Sequence, residues 1–215
     1  MDRGRFVRRN TEIGSPPLVP EIRLHLATEI TPIWQATEDI LARNGLPPPF
    51  WAFAWAGGQA LARYLLDRPV IVAGREMLDF GSGSGLVAIA AVKSGAERVT
   101  AAEVDAFAAA AIAVNAALNE VKITVTTTDL IGAQGRFWQV ITAGDICYEQ
   151  PMADHTTGWL RRRAGEGSLV LLGDPGRSYL PRSGLVERAR YEVPTSRELE
   201  DQEMRETVVW EMLPE

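Results

Sequence analysis

Nine residues constrain the fold more than any others: Met77-Leu78-Asp79-Phe80-Gly81-Ser82-Gly83-Ser84-Gly85. A short apolar run ends at a carboxylate, three glycines recur at alternate positions, and a helical pattern begins at once from Leu86 to Lys93. A strand that turns through glycines into a helix lets the backbone approach a bound nucleoside, since no Cβ intervenes. Downstream, strand-like runs at 76–80, 98–103, 122–128, 137–142 and 168–173 alternate with helical patterns at 86–94, 106–118 and 152–163. That alternation predicts an α/β fold, a doubly wound sheet of parallel strands with crossover helices. Two last runs, 188–193 and 207–212, alternate enough to form a strand pair at one edge.

Two cofactor classes fit such a turn. A dinucleotide site wants G-x-G-x-x-G, with the pyrophosphate on the positive end of the following helix. This chain has Gly81-x-Gly83-x-Gly85 with Asp79 just before it. A carboxylate there would repel a pyrophosphate. It suits a ligand carrying positive charge, such as the amino group and sulfonium of S-adenosylmethionine (SAM). A nicotinamide-dependent oxidoreductase is the alternative from another class.

Further acids fall where strands end. Glu103 closes Val99-Thr100-Ala101-Ala102-Glu103, and a carboxylate there can accept hydrogen bonds from both ribose hydroxyls. Val104 follows it in the same cofactor set, whereas Asp105 has a ready job as a helix N-cap. Asp145 follows the strand predicted over 137–142 and precedes Ile146-Cys147-Tyr148-Glu149. Upstream, Trp51, Phe53 and Trp55 alternate, so an extended backbone would point them to one face. Trp51 and Phe53 read as core. Trp55 could lay its ring over a sulfonium by cation–π attraction. Gln59 could bond the methionine carboxylate of SAM or cap its own helix, predicted over 59–66. Arg177, in Gly173-Asp174-Pro175-Gly176-Arg177, could clamp an acidic patch on a substrate or form an ordinary salt bridge.

Composition limits the rest. At 215 residues, 46% apolar and 23% charged, the chain can bury one substantial core. The net charge of −6 argues against bulk affinity for nucleic acid or anionic membrane, and no run of about 18 apolar residues could span a bilayer. A single cysteine, Cys147, excludes an intrachain disulfide and reads as a small buried apolar residue, and no metal is expected. His25 and His155 stand alone. Residues 1–20, with Arg3, Arg5, Arg8 and Arg9, read as a loosely ordered basic arm, because Gly14-Ser15-Pro16-Pro17 breaks any amphipathic import helix. Residues 21–215 then form one domain: a helical extension over 21–75 and a SAM-binding core over 76–215. Two helical stretches, broken near Pro32, are expected over 21–44, with Trp34, Ile40 and Leu41 toward the core. The expected location is the cytoplasm.

The motif Leu78-Asp79-Phe80-Gly81-Ser82-Gly83-Ser84-Gly85 resembles motif I of the class I (seven-β-strand, Rossmann-like) SAM-dependent methyltransferases. The run Asp145-Ile146-Cys147-Tyr148 matches the D-x-x-Y motif of the members that methylate lysine in proteins. Three longer blocks narrow the resemblance: Pro47 to Tyr64, Gly144 to Glu149, and Leu172 to Pro181. They look like those of the electron transfer flavoprotein β-subunit lysine methyltransferases, and the Arg-rich chain fits their bacterial branch better than the mitochondrial one. The resemblance implies a seven-strand sheet whose last strand inserts antiparallel, and cofactor contacts from Trp55, Asp79, Gly81, Ser82, Gly83, Gly85, Glu103, Val104, Asp129, Leu130 and Asp145. Asp129 and Leu130 would face the adenine, and Asp145, Tyr148 and Glu149 would serve the acceptor amine. SAM would leave as S-adenosylhomocysteine (SAH), and the flavoprotein β subunit would be the partner. Ribosomal protein L11, another ribosomal protein or a small molecule is the alternative acceptor.

Overall fold

A computed structural model of the chain describes residues 2–28, 48–133, 136–195 and 203–214. Seven strands form one sheet in the order β5-β4-β3-β6-β7-β9-β8. They are β3 (Glu76–Phe80), β4 (Arg98–Ala102), β5 (Thr124–Thr126), β6 (Val140–Gly144), β7 (Leu169–Asp174), β8 (Leu185–Pro194) and β9 (Met204–Met212). The first five are parallel, and β9 slots antiparallel between β7 and the edge strand β8. The expected sheet, including the inserted last strand, is therefore present.

Side chains alternate across this sheet as a pleat requires. Met77, Val140 and Leu171 face one core, with Leu61 and Leu65 of helix α2 (Ala56–Asp67) and Ile89 of α3 (Leu86–Lys93). Leu78, Ile141, Val170 and Leu172 face the other, with Trp159 and Leu160 of α5 (Met152–Gly165). Burial on both faces explains why β3, β6 and β7 read as continuous apolar runs. Helix α4 (Ala106–Leu118) adds Ile112 to the first core. The chain leaves β3 for β4 and β5 on one side and returns to β6 on the other. That reversal opens a crevice at the carboxyl ends of β3, β4 and β6, where doubly wound sheets bind ligands.

The N-terminal reading needs correction. Residues 3–10 form a helix, α1 (Arg3–Asn10), whose N-cap Asp2 accepts a hydrogen bond from Arg5 N at 3.0 Å. Val7 is fully buried with Ala108, Ala111 and Val114 of α4 and with Trp51, and Phe6 meets Phe107 edge-on at 5.1 Å. Strand β1 (Glu12–Gly14) pairs antiparallel with β2 (Leu24–Leu26), so the pairing crosses the expected boundary at residue 20. A strand also stands where a helix was expected near residue 24. Both departures have a tertiary cause. The partners lie about a hundred residues away, on α4, where Asn115 Oδ1 accepts from His25 N at 2.8 Å. The expected core residues Trp34, Ile40 and Leu41 lie outside the described residues. Among the described residues no helix is long and apolar enough to cross a membrane.

Candidate active site

The glycine turn is built as its sequence demands. Gly81, Gly83 and Gly85 all have positive φ, at 63°, 54° and 84°. A Cβ on Gly83 would meet nothing within 4 Å, so the turn leaves open space above its middle glycine. The carboxylate before the turn has a different job from the one expected. Asp79 is 2% exposed. Its Oδ2 accepts from Ser82 Oγ at 2.5 Å and from Ala88 N, in the first turn of α3, at 3.2 Å. Its Oδ1 accepts from Thr142 Oγ1 at 3.0 Å. Asp79 thus ties β3, the turn, α3 and β6 together from beneath, and Ser82 spends its hydroxyl on the same knot. Both side chains are nearly buried, Ser82 at 9% exposure. Burial raises the Asp79 pKa from 3.8 to about 6, against the lowering by Ser82, Thr142 and Ala88.

Glu103 sits at the rim, half-buried, across from the glycines. Its Oε2 accepts from Gly83 N at 3.0 Å and its Oε1 from Asp105 N at 3.2 Å. Burial holds its pKa above the ordinary value. Asp105 caps α4, accepting from Phe107 N at 2.8 Å, which leaves Glu103 as the rim carboxylate. Val104 beside it is 68% exposed, an apolar surface at the mouth of the crevice. On the far side of β4, Asp129 is exposed and accepts from Ile131 N at 2.9 Å, a local turn, while Leu130 packs against the α5-side core.

A second group of expected site residues lies at the end of β6. Asp145 follows β6 with φ of 54°, an uncommon backbone state for a residue with a Cβ. Its N donates to Gly173 O at 2.9 Å. Its Oδ2 accepts from Gly58 N, in the first turn of α2, at 3.1 Å, and its Oδ1 from Arg177 Nη2 at 2.8 Å. Helix α2 approaches so closely that a Cβ on Gly57 would stand 2.1 Å from Gly173 O and 2.5 Å from Asp145 Oδ2. This is why the helix begins at Ala56 and takes Gly57-Gly58 into its first turn, earlier than the residue 59 expected.

The aromatic block is linked to that carboxylate through Arg177. Residues Phe50–Ala52 form a 3₁₀ turn, so Trp51 and Phe53 do not alternate on an extended chain; Trp51 is buried at 2% exposure. Trp55 is held by its Nε1 donating to Phe50 O at 2.8 Å. Phe50 lies edge-on to Trp55 at 6.1 Å and to Tyr148 at 5.8 Å, joining the two expected site aromatics. The Arg177 guanidinium stands 5.7 Å from the centre of the Trp55 ring. Tyr148 is 45% exposed, and burial, Glu149 and Glu103 together raise its pKa, so its hydroxyl keeps its proton. Glu149 is exposed. Cys147 is fully buried, with its thiol pushed up to about 12 by burial. Gln59 neither caps its helix nor faces the crevice. Its Nε2 donates to Ala54 O at 2.7 Å and its Oε1 accepts from Leu18 N at 3.2 Å.

Sequence reasoning passed over two residues at this rim. Phe50 was counted only as part of the aromatic block. Asp174, at the end of β7, is 2% exposed and accepts from Gly176 N and Arg177 N, both at 2.7 Å. The signal was present: Gly144-Asp145 and Gly173-Asp174 repeat one dipeptide at the ends of adjacent strands, and Gly144 pairs with Gly173. Asp79, Glu103, Asp145 and Asp174 thus set four carboxylates at the ends of four neighbouring strands.

A relative from Xenopus laevis, an electron transfer flavoprotein beta subunit lysine methyltransferase, is 37% identical over 97% of this chain and 86% of its own length. The chain belongs to that family. A second member, from Danio rerio, is 39% identical over 95% of this chain and 81% of its own. The family model for ribosomal protein L11 methyltransferase (PrmA) matches residues 60–144 only. A ribosomal protein L11 methyltransferase from Laribacter hongkongensis is 36% identical over 57% of this chain and 41% of its own. Of solved structures, a ribosomal protein L11 methylase from Lactobacillus delbrueckii superposes with a TM-score of 0.53, 21% identity, and 75% and 81% of the two chains covered. The magnesium protoporphyrin IX methyltransferase of Synechocystis with bound SAM gives 0.53, 15%, 73% and 80%. These structures share the fold. Family members at 36–39% identity extend over the aromatic block and the strand pair that the PrmA match leaves out.

Proposed function

We propose that the protein is a SAM-dependent protein-lysine N-methyltransferase acting on the electron transfer flavoprotein β subunit. The observation that carries this is the pairing of an open glycine turn and rim carboxylate with a second, partly buried carboxylate, Asp145, whose Arg177 partner stands against the Trp55 ring. The residues suit the cofactor. Space above Gly83 accommodates a nucleoside, Glu103 offers acceptors for ribose hydroxyls, and the row of carboxylates favours a cation. Trp55 and Val104 offer apolar cover, with Asp129 and Leu130 on the adenine side. When bound, SAM supplies an electrophilic methyl on a sulfonium.

The chain's own residues must deliver a neutral amine in line with that methyl. Free lysine holds its proton to a pKa near ~10.4. Asp145 attracts and aims the ammonium, and the apolar edge that Phe50 and Tyr148 expose at the rim displaces water from it, which favours the neutral amine. Glu149, exposed beside Tyr148, hands the proton to solvent. Alignment then supplies much of the acceleration, up to roughly 7–11 kcal/mol in well-oriented systems. The same reading puts the enzyme in the cytoplasm, which cell fractionation checks.

The deciding experiment incubates the enzyme and labelled SAM with purified flavoprotein β subunit and, separately, with ribosomal protein L11. Mass spectrometry should map the label to lysine side chains of the β subunit. Label on L11 alone would replace this acceptor with the other.

A further inference from the structure

We propose that Arg177 is a built-in competitor for the acceptor: its guanidinium fills, between Asp145 and the Trp55 ring, the seat a substrate lysine ammonium takes during turnover. This deepens the lysine-methyltransferase reading and rests on it. A carboxylate paired with an aromatic face is the chemistry that recognises an alkylammonium. Both halves already hold a cation, with Arg177 Nη2 2.8 Å from Asp145 Oδ1 and the guanidinium carbon 5.7 Å from the ring centre. The pair is no solvated surface bridge, since the Arg177 and Asp145 side chains are only 18% and 11% exposed. The remaining Asp145 oxygen faces the Gly58 N–H, so the cation-facing side of the carboxylate is the one Arg177 occupies.

The loop is built for the side chain to move while the backbone stays. Asp174 Oδ1 grips the N–H groups of Gly176 and Arg177, Gly176 takes a positive φ of 85°, and Tyr179 N donates to Cys147 O at 3.2 Å. A displaced guanidinium also has somewhere to go. Asp174 Oδ2 is buried with no hydrogen-bond partner among the described residues, and the Arg177 charge already acts on that carboxylate. Exchange of Arg177 from Asp145 toward Asp174 opens the acceptor seat without leaving a guanidinium unpaired.

A competitor and a clamp make opposite forecasts. If only the fraction of molecules with Arg177 displaced can bind acceptor, apparent affinity is reduced by that fraction, and removing the charge restores it. Arg177→Met keeps the stem and loses the charge, and Arg177→Gln serves as a second variant with a different side chain. In both, the KM for the flavoprotein β subunit should fall roughly tenfold, with kcat changed much less. In calorimetry on the SAH-saturated protein, n-butylammonium should bind both variants roughly tenfold more tightly than wild type. A KM that rises or stays put, or n-butylammonium bound no more tightly, overturns the proposal. Should wild type methylate no lysine at all, the functional reading fails instead, while the n-butylammonium titration still decides the role of Arg177.

Discussion

At the residue scale the site separates carboxylates that look alike in sequence. Glu103 offers its oxygens at the rim, so Glu103→Ala should weaken SAH binding roughly tenfold to a hundredfold, the worth of charged hydrogen bonds to two hydroxyls, as read by calorimetry. Asp79 is a buried strut, and its effect is on stability. Its folded pKa, about 6, lies above its ordinary 3.8, so between those values the folded chain keeps a proton the unfolded chain has released. Its contribution is therefore greatest below pH 3.8 and is lost as pH rises through about 6, by roughly 3 kcal/mol in all. Urea unfolding of wild type minus Asp79→Asn should show that decline across the window, and a flat difference would contradict it. Cys147, pushed up to about 12 and fully buried, should resist a thiol reagent in the folded protein and react once urea unfolds it. The sequence made Asp79 legible as a motif residue but not as a strut, because its partners Thr142 and Ala88 come from other elements. Glu103 was legible in place, because a strand end next to a glycine turn has few alternatives.

At the scale of elements, the Asp145 end of the crevice is built on close backbone contact. Helix α2 butts against β6 and β7 through Gly57, Gly144 and Gly173, and a Cβ at Gly173 would stand 2.1 Å from Gly57 O. Gly57→Ala or Gly173→Ala should therefore cost about 3 kcal/mol in urea unfolding and pull the Gly58 N–H away from Asp145. Gly83→Ala offers the contrast. Its Cβ meets open space, so its cost comes from positive φ alone, about 1 kcal/mol. Every sheet strand was visible, the central β3, β6 and β7 as apolar runs because both their faces are buried, and the β8–β9 pair at the edge by alternation. Helix α1 and strands β1 and β2 were not. Their few apolar residues, Phe6, Val7 and Leu24, carry no period of their own and gain meaning only against α4 and the first core.

At the scale of the whole molecule, a single row of strand ends carries both groups of residues that the proposed function uses. Glu103 and the glycine turn face one end and Asp145 with its aromatics the other, and Tyr148 lies within the electrostatic reach of both Glu103 and Glu149. The likeness to the flavoprotein methyltransferases extends over nearly the full chain, whereas the L11 methyltransferase family model matches residues 60–144. Asp145 and its D-x-x-Y run lie just past the end of that match. The account stands or falls on this division of labour. Its most direct test is the affinity of SAH for Asp145→Asn beside the methyl-transfer rate of the same variant on the β subunit. Transfer should drop at least a thousandfold while SAH affinity stays within about threefold of wild type, the loss expected when a group aligning the reactants is removed. Undiminished transfer, or SAH binding lost along with it, would contradict the separation of cofactor and acceptor carboxylates on which the mechanism is built.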